Sequence, residues 1–182
     1  MSMIRRNLNA IRCRKVLDIM GVGCFLTPYA WLSVPFFLLI GILAALMQSE
    51  DRQAGAFLPL GAGYGLILFG SNLLHSIGHI LAGKIVGAPN GGLIITSTFH
   101  VNYHRCDPAV CSRWIHIGRS LGGPLANLAL AAIAMVLHAQ AGGAWSDFLA
   151  KANLIVGIWL LLPLPAIDGW VIWGELVGFR RR

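Results

Sequence analysis

The stretch Leu73-Leu74-His75-Ser76-Ile77-Gly78-His79-Ile80-Leu81-Ala82 lies within a long apolar segment and places two histidines four residues apart. At that spacing both rings share one face of a helix, close enough to ligate one metal ion. An apolar segment that carries such a pair is a helix with a polar site on one face. Ionisable groups inside a membrane span are costly, so they are functional or paired.

Outward from this segment the chain reads as an α-helical integral membrane protein. Its 182 residues are 57% hydrophobic and only 12% charged, with mean hydropathy +0.71. Stretches of about 20 apolar residues suffice to cross a bilayer. Four such stretches are expected: Tyr29 to Met47, Ala56 to Gly83, Ile115 to His138 and Ala152 to Gly178. The last is interrupted by Pro163, Pro165 and Asp168-Gly169. A broken span is tolerated only where protein or a water-filled cavity surrounds it, so Asp168 marks a second place to look for a site. Gly61 and Gly65 in the second span fit the small-xxx-small pattern of close helix packing.

The net charge of +7 does not point to nucleic acid, because of where the charges fall. Arg5, Arg6, Arg12, Arg14 and Lys15 precede the first span. Lys84, Arg105, Arg113 and Arg119 fall between the second and third spans, and Arg180 to Arg182 follow the fourth. Only Arg52 and Lys151 occupy the other two loops, so twelve cations stand against two. This is the positive-inside asymmetry, and it predicts cytoplasmic termini. The basic N-terminus lacks the cleavage site of a signal peptide. Residues 1–28 read as a basic cytoplasmic arm able to touch anionic membrane lipid, and 29–182 as one membrane domain.

Between the second and third spans, Ile94 to His104 alternates polar and apolar residues. Period two with β-branched and aromatic residues predicts a strand, preceded by a turn at Asn90-Gly91-Gly92. On a strand His100 and His104 stand roughly 13 Å apart, too far to chelate one ion. Cys13, Cys24, Cys106 and Cys111 form no pair of CxxC units, and three of them lie on the expected cytoplasmic side, so no disulfide is expected.

His75, His79 and Asp168 together offer two imidazoles and a carboxylate, a suitable set for Zn²⁺. In the His-Glu-x-x-His motif of zinc peptidases the Glu accepts the proton of a metal-activated water. Here Ser76 occupies that position.

Three stretches in order carry a family resemblance. The first is the segment around His75 and His79. The second is Gly122-Gly123-Pro124-Leu125-Ala126-Asn127, and the third is Leu161-Leu162-Pro163-Leu164-Pro165-Ala166-Ile167-Asp168-Gly169. Together they resemble the site-2 protease family of intramembrane zinc metalloproteases, from about Thr27 onward. The resemblance implies that His75, His79 and Asp168 hold zinc and that Asn127 positions substrate or water. It also implies that the strand around Ile95, Thr96, Ser97, Thr98 and Phe99 pairs with an unwound transmembrane segment of a substrate or partner protein.

Three departures from the family's pattern are Ala166, where a proline stands, Leu160, where the family often carries an asparagine, and Ser76, where the Glu stands. A serine hydroxyl is no base near neutral pH, and loss of a general base costs about 10²- to 10⁴-fold in rate. The implied protein keeps its zinc and binds transmembrane segments with weak or no peptidase activity. A working protease with a divergent base is the first alternative, with Glu175 and Asp107 as the carboxylates to consider. A haem-binding or transport bundle using His75, His79 and His138 is the second.

Overall fold

The computed structural model describes residues 13–48, 54–104 and 111–178; Arg5, Arg6, Arg12, Arg52, Arg105, Cys106, Asp107 and Arg180 to Arg182 lie outside them. Strands β1 (Arg14–Ile19) and β2 (Val22–Leu26) come first, then helices α1 (Ser33–Gln48) and α2 (Ala54–Ile85). A second strand pair follows, β3 (Asn90–Ile95) and β4 (His100–His104). The chain ends in α3 (Arg113–Ala141), α4 (Ala144–Trp159) and α5 (Asp168–Val177).

Three helical stretches among the described residues are long and apolar enough to cross a membrane: Ala30–Gln48, Phe57–Ile85 and Arg113–Ala141. Their surfaces suit lipid. Large apolar side chains such as Leu39, Leu43, Leu66, Ile133 and Val136 are exposed, whereas Gly41, Ala45, Asn127, Ala131 and Ala134 are buried. Small residues inside and bulky ones outside is the pattern of helices that associate in a bilayer. The expected contact of Gly61 and Gly65 is present: a side chain on Gly65 would strike the Leu38 backbone, and one on Gly61 the Ile42 backbone. Both lie against α1. Gly78 and Gly122 do the same between α2 and α3, since a Cβ on either would meet the other's carbonyl.

The fourth expected span is two helices. α4 begins at Ala144, eight residues earlier than the hydropathy pattern suggests, and stops at Trp159; α5 starts at Asp168. Pro163 and Pro165 fall in the gap, where neither can continue a helix. The amide of Gly169 donates to the carbonyl of Leu160 at 2.7 Å and the Trp173 indole to that of Leu161 at 2.9 Å, which pins the break.

The strand region also differs from expectation. Residues 94–104 form not one strand but the end of β3, a turn and β4, because the Thr96 amide bonds the Phe99 carbonyl and folds the chain back. Asn90-Gly91-Gly92 opens β3 rather than forming a turn. Residues 14–26, placed by composition in the basic arm, form a hairpin over Met20 and Gly21, both at positive φ, as a two-residue hairpin turn requires. β2 then pairs in parallel with β3, giving one sheet ordered β1-β2-β3-β4. Val22, Cys24 and Leu93 of this sheet pack on Ile80 of α2.

Among the cysteines, Cys13 and Cys24 carry thiols, but Cys111 is disulfide-bonded, contrary to expectation. The argument from a reducing compartment fails for it.

Candidate metal centre

Three elements converge on one point. α2 supplies His75 and His79 a turn apart, and α3 crosses so close that a Cβ on Gly123 would collide with both rings. The first residue of α5 supplies Asp168. His75 Nε2 lies 3.2 Å from Asp168 Oδ2, and His79 Nε2 lies 3.4 Å from Oδ1. The two Nε2 atoms are 3.0 Å apart.

The protons of the two rings follow from the outer hydrogen bonds. His79 Nδ1 is 2.7 Å from the carbonyl of Arg119, which only accepts, so Nδ1 carries hydrogen. For His75 the argument runs through two amides. The Leu149 carbonyl accepts from Asn153 Nδ2 at 2.9 Å, which turns Oδ1 of Asn153 toward Asn127. Asn127 Nδ2 donates to that oxygen at 2.8 Å, leaving Asn127 Oδ1 against His75 Nδ1 at 2.7 Å. If both rings are neutral, each then presents a bare Nε2 lone pair to the other ring and to a carboxylate. Three acceptors facing inward repel unless a cation or an added proton lies among them.

The donor atoms of His75, His79 and Asp168 lie within 4.8 Å of one another and could hold a metal ion. Ligands about 2.1 Å from a tetrahedral ion stand roughly 3.4 Å apart. The separations of 3.0, 3.2 and 3.4 Å suit such an ion. Outer hydrogen bonds from each Nδ1 are the usual means of orienting metal-binding imidazoles. Asn127 is thus seen orienting His75.

Ser76 is elsewhere. It is 1% exposed, its hydroxyl donates to the Asn72 carbonyl at 3.2 Å, and Asn102 of β4 donates to its backbone oxygen. It lies beneath the sheet and does not line the cavity that reaches the histidines. That cavity, about 860 Å³, runs among α2, α3, α4 and β4 and contains Asp168 as its sole acid among the described lining residues. Of Ile95 to Phe99, only Phe99 lines it. Ile95 packs against the sheet core, and Thr96 to Thr98 make the turn. Glu175 does not line it either, and Asp107 lies outside the described residues. His138 bonds Ser146 at 3.0 Å, about 16 Å along α3 from Asn127 at 1.5 Å per residue, so it shares no site with His75.

Sequence reasoning missed four participants. Asn153 and Ser71 extend the amide relay, with Asn153 Nδ2 also donating to the Ser71 hydroxyl. Asn153 lies at a helical spacing from Ala150 and Gly157, all buried, which is the signal that a polar residue faces the bundle. Arg119, counted above among loop charges, is 3% exposed on α3 and lines the cavity, as does His100.

No protein-family model and no curated protein matches the chain. Among solved structures it is similar to the site-2 protease from Methanocaldococcus jannaschii, with a TM-score of 0.63 and 18% identity. The match covers 92% of this chain and 73% of that one. At this identity the likeness concerns the path of the backbone. The chain has the fold of a site-2 protease.

Proposed function

We propose that the chain is an intramembrane zinc-binding protein that holds transmembrane segments of other proteins and hydrolyses them weakly or not at all. One observation carries the reading: two Nε2 atoms and a carboxylate face one another at 3.0 to 3.4 Å, with each Nδ1 turned to an outer acceptor. Zn²⁺ bound there supplies Lewis acidity toward a carbonyl and acidifies water. The protein's own contribution is orientation. Asn127 and the Arg119 carbonyl hold the rings, and Asp168 closes the third side. The one acid lining the cavity among the described residues is Asp168, itself a candidate ligand, so no second carboxylate there accepts a proton from water.

A segment entering the cavity must unwind, since a helix hides its peptide bonds. β4 is one of the two edges of the sheet among the described residues, the one that borders the cavity, and an extended segment can add to it as a fifth strand. On this reading the excess of cations in alternate loops supports cytoplasmic termini.

The test is metal content together with turnover. Protein purified in detergent is expected to hold about one zinc per chain, lost in His75→Ala, His79→Ala and Asp168→Ala. Model transmembrane substrates are expected to bind without appreciable cleavage. Robust cleavage that vanishes in His75→Ala would overturn the weakly hydrolytic reading, and absence of zinc from the wild type would overturn the metal reading.

A further inference from the structure

Four buried side-chain polar atoms make no hydrogen bond of good geometry among the described residues: Nε and Nη1 of Arg119, and Nδ1 and Nε2 of His100, which has the Asn72 backbone beside it. All four are nitrogens, and both residues line the cavity beside the metal centre. Arg119 is 97% buried by its 3% exposure. Its remaining contact, from Nη2 to His116 Nδ1 at 3.4 Å, is long and brings no negative charge. A guanidinium offers five N–H donors and does not lose its charge in proteins. Buried with no counter-charge among the described residues, it is strongly unfavourable. The cavity cannot satisfy it internally. Asp168 is already turned to His75 and His79, and the other polar groups lining the cavity are amides, hydroxyls and imidazoles.

We infer that the cavity is built for an acidic peptide segment, whose Asp or Glu carboxylate pairs with Arg119 while His100 donates to another oxygen of the same segment. This rests on the proposal that the chain holds peptide segments, and it names the side chain that such a segment must present. The placement is consistent with strand addition. His100 is the first residue of β4, paired with Ile95, so a segment lying along that edge passes the mouth of the cavity. A buried Arg–carboxylate pair is charge-assisted and favours a bidentate geometry, which Lys or a neutral amide does not reproduce.

The experiment measures binding of fluorescein-labelled apolar peptides, about 16 residues long, to the full chain in neutral-lipid nanodiscs. One peptide carries a central Glu and its twin carries Gln. The Glu peptide is expected to bind roughly tenfold tighter or more. Arg119→Gln is expected to erase the difference and Arg119→Lys to keep part of it, while His100→Gln weakens both peptides alike. Chelation is expected to leave the Glu preference intact, so failure of the metal reading is distinguishable from failure of this one. Equal binding of the two peptides would overturn the assignment. So would a preference that survives in folded Arg119→Gln or Arg119→Lys protein undiminished, or one that chelation abolishes, since the carboxylate would then belong to the metal. Displacement of the Glu peptide by phosphatidylglycerol at matched concentration would assign Arg119 to lipid and overturn the peptide as its partner.

Discussion

Asn127 bridges His75 and Asn153, donating to Asn153 Oδ1 at 2.8 Å and accepting from His75 Nδ1 at 2.7 Å. It is 1% exposed, and Asn153 is fully buried. Removing such an outer partner typically costs about 10- to 100-fold in metal affinity. Asn127→Leu is expected to weaken zinc binding by that order, while Asn127→Asp, which still accepts from Nδ1, keeps most of it. Titration against a competing chelator measures both; equal losses would mean that Asn127 acts through packing alone.

Gly123→Ala is a substitution aimed at the site without touching a ligand. Its methyl would overlap the ring atoms of His75 and His79. Zinc content is expected to fall severely while the helical circular-dichroism signal persists. A variant that retains full zinc would show that α3 can move away from the rings.

At position 76 the contrast lies between removing a hydroxyl and adding a carboxylate. The Ser76 hydroxyl bonds only its own helix, so Ser76→Ala is expected to change stability by less than about 1 kcal/mol and zinc content not at all. Ser76→Glu is expected to raise cleavage of an unwound transmembrane substrate above the wild-type level. If Ser76→Glu binds zinc and peptide normally yet cleaves no faster, the missing base is not what limits the chemistry.

Ala166 sits at φ 69°, the left-handed region. Glycine adopts it freely, and proline, locked near −65°, cannot. Ala166→Gly is expected to stabilise the protein modestly, by about 1 kcal/mol. Ala166→Pro is expected to displace Asp168, two residues on, and to lower zinc affinity more than Ala166→Gly does. Thermal unfolding and zinc titration of the two variants check this.

The Cys24 thiol, 1% exposed in the sheet core, has its pKa pushed up by burial. It therefore stays protonated through the neutral range, and its alkylation by iodoacetamide at pH 8 is expected only after unfolding. Mass spectrometry of the labelled protein reads this directly. Rapid native labelling of Cys24 would mean that the sheet lifts off α2.

The helices were legible because their signals are local: runs of apolar residues, a histidine pair at one turn's spacing, prolines before an aspartate. The convergence of His75, His79 and Asp168 was suggested by the same kind of local signal. The outer partners were not. The role of Asn153 depends on a contact with Asn127 across two helices, and a polar residue in an apolar run does not announce its partner. Arg119 misled because an arginine near a span boundary reads as an interfacial charge, and only packing shows it turned inward. The N-terminal hairpin was hidden by composition: Arg14 and Lys15 look like an arm until β2 finds β3 some seventy residues later. The turn at Thr96 to Phe99 carries neither Gly nor Pro, so alternation ran through it unbroken.

That parallel pairing has a temporal side. Cys24 aligns with Leu93, and α1 and α2 both intervene between them. The first hairpin emerges from the ribosome early but has no berth until the second helix has been threaded back to the side where it began. The sheet is therefore a late clasp on an already inserted pair of helices, and a chain arrested before Asn90 would leave its opening strands with nowhere to dock.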